Sequence, residues 1–299
     1  MSRKRKYKKR TYTARRRPSR RQRWGIGCLP LLVPLLVGLL VVVLFVSIFL
    51  FFPQRTNILL LGLDYSDPTN ALARTDSLIL STIKLPDGYV GMLSIPRDLW
   101  VSIPGMGNNR INTAHFFAES VQAGSGPFAA LYTVEQNFGV DVDYYLRIRF
   151  QGFRDVVNAM GGVDIELKRP MAGYEAGTHH LTGNKALAFA RNRLGSDDFF
   201  RMERGQLVLK ALYKQMLNPL KWIRIPGALL AFTNAVDTDI PAWLWPRIGF
   251  ALLKSGVDGI DNRTITREMV TPYITDNGAN VLLPRWEFIN LVLFDIFEQ

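Results

Sequence analysis

Residues 26–52, IGCLPLLVPLLVGLLVVVLFVSIFLFF, form an apolar run that no charge interrupts. About 20 helical residues span the hydrocarbon core of a bilayer, so this run is long enough to cross one with some tilt. Pro30 and Pro34 fall near its start, where a helix tolerates proline best. A cleaved signal peptide would have a shorter apolar region, about 7–15 residues, and a small-residue cleavage site. Here the run is followed by FFPQRTN, which is a poor site. The expected organisation is a basic tail over 1–24, a retained transmembrane helix over 25–53 and one outer domain over 54–299.

Charge sets the expected orientation. Residues 1–23 carry thirteen Lys and Arg, and the first 54 residues carry no Asp or Glu. Only 24 of the 37 Lys and Arg remain beyond the tail, against all 25 Asp and Glu, so the outer domain is close to neutral. Cations concentrated before the span place the N-terminus in the cytoplasm and the rest of the chain outside. A basic tail also gains energy beside an anionic leaflet, so the bilayer is an expected partner. The tail's aromatics are Tyr7, Tyr12 and Trp24, and it shows no recognition motif, which argues against a specific nucleic-acid partner. Cys28 is the sole cysteine. It excludes an intrachain disulfide and a cysteine zinc site, and it precedes the apolar run where a lipobox cysteine would follow one.

The outer domain reads as strands interleaved with helices. NILLLGL (57–63) has the continuous apolar character of a strand buried on both faces, and 76–85 and 89–95 flank a Pro86-Asp87-Gly88 turn as a hairpin. Strands are also expected over 144–150, 163–167 and near 262–270, with helices over 113–123, 127–138, 153–160, 182–190, 198–217 and 284–296. Gly161-Gly162 closes one helix and Thr182 reads as the N-cap of another. The apolar and aromatic region 219–256 is expected to pack as helices. Such alternation implies a layered α/β or α+β sandwich in a single domain.

Common nucleophile machinery is missing from the sequence, which has no G-x-S-x-G and no H-E-x-x-H pattern. Gly183-Asn184-Lys185 lacks the spacing of a phosphate loop, and His179-His180 reads as a polar loop pair rather than as metal ligands. Arginines instead collect at the ends of apolar elements: Arg74 before Asp76, Arg97 before Asp98, Arg110, Arg191, Arg193, and Arg201 with Arg204 three residues later. Strand ends of an α/β sheet are where ligands bind. Guanidinium groups keep their charge and grip phosphates bidentately, so several of them suit a pyrophosphate. Asp64 and Asp76, at the ends of neighbouring strands, offer the hard oxygens that share Mg²⁺ with phosphates. Surface ion pairs would account for many of the same arginines.

The order Asn57-Ile-Leu-Leu-Leu-Gly-Leu-Asp64, Arg74-Thr-Asp76-Ser, Ser-Ile-Pro-Arg97-Asp98, Arg110-Ile-Asn112, Gly-Gly-Val-Asp164, Leu-Thr-Gly-Asn184-Lys-Ala-Leu and Ala-Arg191-Asn-Arg193 resembles the LytR–CpsA–Psr (LCP) family of bacterial cell-envelope proteins. The likeness runs from about residue 56 to 217. It implies a three-layer α/β/α sandwich and a phosphotransferase that moves an anionic glycopolymer from a polyprenyl-pyrophosphate carrier to a cell-wall acceptor, usually peptidoglycan. It also implies an apolar tunnel for the polyprenyl chain.

By the same resemblance, Asp64 and Asp76 hold Mg²⁺, and Arg74, Arg97, Arg191 and Arg193 surround the phosphates. Arg110 stands where many members carry lysine. Asp198 and Arg201 match an Asp-Phe-Gly-Arg segment whose glycine is Phe200 here, and Arg204 matches the arginine that follows. Members often have Gln directly after that arginine, whereas here Gly205 intervenes before Gln206. The expected roles are catalytic for Arg74, Asp76, Arg97, Arg191 and Arg193, and substrate-binding for Arg110, Asp198, Arg201 and Arg204. Two rival readings use the same residues: a non-catalytic binder of polyprenyl phosphates or wall polyanions with a regulatory role, and a pyrophosphatase that transfers to water.

Overall fold

The computed structural model describes residues 29–52, 54–63, 74–85, 87–192 and 198–298. The chain divides into two compact units, Met1–Phe49 and Leu50–Gln299. The first contains all but the last two residues of helix α1 (Leu29–Phe51), with Pro34 in the helix's second turn. Its window Val33–Leu50 has a mean hydropathy of 3.1, which makes it long and apolar enough to cross a membrane.

The second unit begins with three consecutive antiparallel strands, β1 (Gln54–Leu63), β2 (Thr75–Leu85) and β3 (Tyr89–Ile95). A separate hairpin, β4 (Trp100–Ile103) and β5 (Gly107–Arg110), leads into helices α2 (Thr113–Val121) and α3 (Gly126–Phe138). Strand β6 (Tyr144–Arg149) then pairs in parallel with β1. Next come α4 (Phe150–Ala159), the hairpin β7 (Val163–Leu167) and β8 (Gly177–Leu181), α5 (Gly183–Arg191) and the long α6 (Asp198–Leu217). A 3-10 segment Pro219–Arg224 joins α6 to α7 (Ile225–Ala235), followed by β9 (Val236–Thr238), α8 (Trp245–Ser255) and β10 (Ile260–Thr264). The hairpin β11 (Val270–Ile274) and β12 (Asn280–Pro284) precedes α9 (Trp286–Leu293) and a π-helical turn Phe294–Glu298. Among the described residues the main sheet has six strands in the order β10-β3-β2-β1-β6-β9.

Strand periodicity explains the layers. Leu59 and Leu61 share one face with their register partners Leu80 and Leu78 and with Leu93 and Ile95. That face packs under α3 (Ala130, Leu131, Val134, Phe138) and α9 (Ile289, Leu293). Ile58, Leu60 and Ile83 point to the other face and meet Ile240, Leu244, Ile248 and Ala251. Because both faces are covered, β1 is buried almost continuously from Thr56 to Leu63 and needs an unbroken apolar run instead of alternation. The result is the expected α/β/α sandwich. A second core fills the space among α4, α5, α6 and the β7–β8 hairpin, around Val157, Ile165, Leu181, Phe189 and Val208.

Several elements depart from the sequence expectations. The strand expected near 262–270 resolves into β10, a 3-10 turn Arg267–Met269 and β11, which belongs to a different hairpin. Polar side chains kept β5 and β8 out of the hydrophobic pattern, and β4 is only four residues long. His179 and His180 lie on strand β8, where His180 Nδ1 meets Asp164 Oδ1 at 2.6 Å across the hairpin. Thr182 occupies the N-cap position of α5 without a side-chain cap bond. The Gly183 N–H is instead capped from α4, by Asn158 Oδ1 at 2.8 Å.

Candidate functional site

The site grows out of the β2–β3 register. Leu78 lies opposite Ile95. Continuing that antiparallel pairing two residues outward sets Asp76 opposite Arg97. Pro96 ends β3 there, because it cannot donate a ladder hydrogen bond. The two side chains meet with Arg97 Nη1 2.9 Å from Asp76 Oδ1. The second carboxylate oxygen faces the first turn of α6, where Arg201 Nη2 lies 3.4 Å from Asp76 Oδ2. Asp76 is therefore a shared carboxylate between two guanidiniums from distant stretches of chain, with its side chain only 9% exposed.

The ionic string continues outward. Arg97 Nε lies 3.5 Å from Asp98 Oδ2, and Arg110 Nη1 lies 3.4 Å from Asp98 Oδ1. The backbone holds this corner rigidly: Ile111 N–H donates to Leu99 O, Asn112 N–H to Arg97 O, and Leu282 N–H to Asp98 O, at 2.8, 3.3 and 3.0 Å. Arg110 reaches the site because β5 pairs Arg110 with Trp100, just past the corner. Two acids and three arginines thus alternate along one rim, leaving a surplus of positive charge suited to an anion.

Aromatic rings seat further arginines. Arg74, one residue before β2, lies over Phe116 at 5.7 Å. Arg191, at the end of α5, lies over Phe150 at 4.8 Å. Phe150 in turn covers Gly62, since a Cβ at Gly62 would lie 3.7 Å from its ring, and Gly62 pairs with Ser77 beside Asp76. This chain of contacts brings Arg191 to the same sheet end as Asp76. Phe200 carries Arg169 and Arg267 at 5.5 and 5.4 Å. These rings were not among the residues expected from sequence. The available signal was Phe199-Phe200 directly ahead of Arg201 and Phe150 directly after a strand.

Arg204 is buried and donates to the Asn192 carbonyl, where the chain leaves α5. Burial, and then the neighbouring Arg201 charge, push its guanidinium below the ordinary arginine value. Gln206 ties α6 to the sheet, donating to Ser94 Oγ, Thr264 Oγ1 and Arg263 O at 2.9, 2.7 and 3.1 Å. Of the remaining expected residues, Asp64, Arg193 and the side chain of Asp198 lie outside the described residues.

Fit to a divalent cation rests on donor chemistry. The described residues contain no group of three or more His, Cys, Asp or Glu side chains that could hold a metal ion. A protein cage is therefore not what they offer. Asp76 offers carboxylate oxygens at the end of the sheet where Leu63 pairs with Thr75, and Asp64 follows Leu63 in the sequence. One or two carboxylates completed by substrate phosphates is the usual way Mg²⁺ is bound, so these residues fit it.

Comparison with known proteins agrees with this architecture. Residues 53–284 match the LytR_cpsA_psr family model. The chain is 37% identical over 191 residues to the polyisoprenyl-teichoic acid–peptidoglycan teichoic acid transferase TagU of Bacillus cereus, covering 62% of this chain and 60% of that protein. It is 30% identical over 195 residues to the regulatory protein MsrR of Staphylococcus aureus, covering 62% and 57%. The chain thus spans about three fifths of the length of the curated relatives it matches. Among solved structures, B. subtilis TagV superposes with a TM-score of 0.66 at 27% identity, covering 82% of this chain and 98% of that one. TagT bound to LI-WTA shares the fold with a TM-score of 0.64 at 24% identity, covering 82% and 90%. The chain belongs to the LytR_cpsA_psr family.

Proposed function

We propose that the chain is a membrane-anchored phosphotransferase that moves an anionic glycopolymer from a polyprenyl-pyrophosphate carrier to peptidoglycan. The observation that carries this reading is the Asp76 carboxylate shared by Arg97 and Arg201 at the end of the sheet. Support comes from the likeness to TagU, named as a transferase of teichoic acid to peptidoglycan. The anchor is α1, held with its basic N-terminal side in the cytoplasm by the thirteen cations of residues 1–23.

In this mechanism Arg97, Arg201, Arg191 and Arg74 bind the pyrophosphate oxygens and stabilise the charge that develops on them. Arg193, which follows in the same motif, is assigned to the same cluster. Arg110 extends the cationic rim toward the polymer, Arg204 holds the end of α5 through the Asn192 carbonyl, and Asp198 is assigned to substrate binding from its place in the motif. A hydroxyl oxygen of the wall glycan forms a bond to the phosphorus nearest the polymer. The bond from that phosphorus to the bridging oxygen breaks, and polyprenyl monophosphate departs. The hydroxyl proton passes to Asp98, whose side chain is 25% exposed against 9% for Asp76. A weak base suffices because a loose transition state has little bond formation to the nucleophile. Mg²⁺ would be held by Asp64 and Asp76, where it supplies positive charge to the pyrophosphate.

The test is turnover by the full chain in vesicles containing a polyprenyl-pyrophosphate-linked glycopolymer, with and without chelator. Polyprenyl phosphate release coupled to polymer on peptidoglycan supports the reading. Release without attachment makes the protein a pyrophosphatase. Binding without release supports the regulatory reading that its likeness to MsrR favours.

A further inference from the structure

The segment after α6 is apolar where nothing described covers it. In the 3-10 segment Pro219–Arg224, Leu220 and Ile223 are 86% and 88% exposed and Trp222 is 53% exposed. Leu229 and Leu230 on α7 are 58% and 64% exposed. Single exposed apolar side chains are ordinary, but five large ones within eleven residues are a patch.

Helix α7, IPGALLAFTNA, carries no charge on any side. Its inner side is accounted for by α4: Ala228 is buried, and Ala235 approaches so closely that a Cβ on Gly152 would lie 2.2 Å from it. Its outer side presents Leu229 and Leu230, followed by exposed Thr233 and Asn234 near its C-terminal end, and packs against no core among the described residues, an uncharged, largely apolar face of the kind that lies at a lipid interface.

Charge and connectivity name the occupant. The patch segment 219–230 carries Lys221 and Arg224 and no Asp or Glu. Two copies meeting through this face would bring these cations together with no acid from either segment. An anionic leaflet complements them, and Trp beside Lys is the composition of a membrane interface. The indole of Trp222 is held by donation to the Met216 carbonyl at 3.2 Å.

The patch is also tied to the point where the chain leaves α1. Buried Arg247 donates from Nη2 to Phe52 O at 2.8 Å and from Nη1 to Gln54 Oε1 at 2.7 Å. Two residues earlier, Trp245 packs edge-on against Phe232 of α7 with ring centres 5.5 Å apart. Tethering by an anchor keeps the whole domain at high effective concentration at a bilayer, so a weak surface contact there is populated.

We propose that the 219–224 segment and the outer side of α7 form a second membrane contact, seated at the headgroup–acyl boundary of the leaflet from which the chain emerges. The proposal rests on the reading of α1 as an anchor. It places the domain directly on the surface that presents a lipid-linked pyrophosphate.

The experiment uses the full chain with Cys28→Ser and one new cysteine, carrying an environment-sensitive fluorophore, in phosphatidylglycerol/phosphatidylethanolamine vesicles. Cysteines replace Ile223, Leu230, Val41 in the anchor, and Asp276 at the exposed β11–β12 turn. Nitroxide lipids are expected to quench labels at 223, 230 and 41. Aqueous iodide is expected to quench 223 and 230 several-fold less than 276. If 41 is quenched by lipid while 223 and 230 behave like 276, the docking proposal fails and the anchor stands. If 41 escapes lipid quenching, the anchor reading fails and the proposal with it. Shielding of 223 and 230 from iodide without lipid quenching identifies a protein occupant and overturns the proposal.

Discussion

Arg97 and Asp76 stand opposite each other two residues beyond the last pair of the β2–β3 hairpin, and Arg97 Nη1 bonds to Asp76 Oδ1 at 2.9 Å. The hairpin alone determines this pair. Arg201, arriving from α6, turns the pair into a shared carboxylate.

Arg201→Ala is expected to lower single-turnover release of polyprenyl phosphate by about 10²-fold, the usual effect of losing one preorganised donor to a developing charge. Arg201→Lys should restore little, because an ammonium cannot reproduce the fork of a guanidinium. Rates of release by the purified variants in vesicles check both. Full activity in Arg201→Ala would remove α6 from the mechanism.

Phe150→Leu takes away the aromatic face under Arg191 while leaving the arginine in place. A cation–π contact of about 1–2 kcal/mol in a partly desolvated setting corresponds to about a tenfold loss in kcat/KM. Thermal melting of the same variant should show a smaller deficit than Arg191→Ala shows in rate. Comparison of the two variants tests whether the ring acts through the guanidinium.

Gln206→Ala should act on stability. Its amide donates to Ser94, Thr264 and the Arg263 carbonyl, joining α6 to β3 and β10. Leaving those acceptors unmet costs about 1–3 kcal/mol, read as a lowered urea midpoint at unchanged slope. A variant as stable as the parent would show that α6 is held elsewhere.

Glu119 supplies a pH test. Burial alone would raise its pKa, but the N–H groups of Gly124 and Gly126 and the charge of Arg147 outweigh burial, and the carboxyl lies below its usual range. A folded-state pKa below the unfolded one means stability that is complete above the unfolded value of about 4.5 and lost as pH falls through the folded one. Glu119→Gln should therefore cost stability at neutral pH, and the gap should narrow as pH drops below about 4.5. Denaturant melts across pH 3–7 measure it. A gap independent of pH would exclude the carboxylate as its source.

The central strands of the sheet were legible because covering both faces demands unbroken apolar runs such as Ile58–Leu63, whereas edge strand β9 lies inside the stretch expected as helices. The polar hairpins were not. The Gly107–Arg110 strand has no apolar residue, and Thr178, His179 and His180 of β8 read as loop. At the site, the guanidinium and carboxylate chemistry was visible in the motifs, whereas the rings beneath the arginines were not. Phe116 and Phe150 belong to elements that carry no motif, and only packing brings them under Arg74 and Arg191.

The amino-acid sequence by itself determined the long apolar segment, the near-neutral outer domain, the strand-bearing runs and the inventory of charged groups. These depend on local composition and periodicity, which need no partner. Tertiary structure alone decided that Arg201 shares Asp76 with Arg97, that Gln206 ties α6 to the sheet, and that Leu220, Ile223, Leu229 and Leu230 stay uncovered. Each of those facts depends on which distant elements meet, and the meeting is set by the summed packing of both sheet faces rather than by any single stretch of chain.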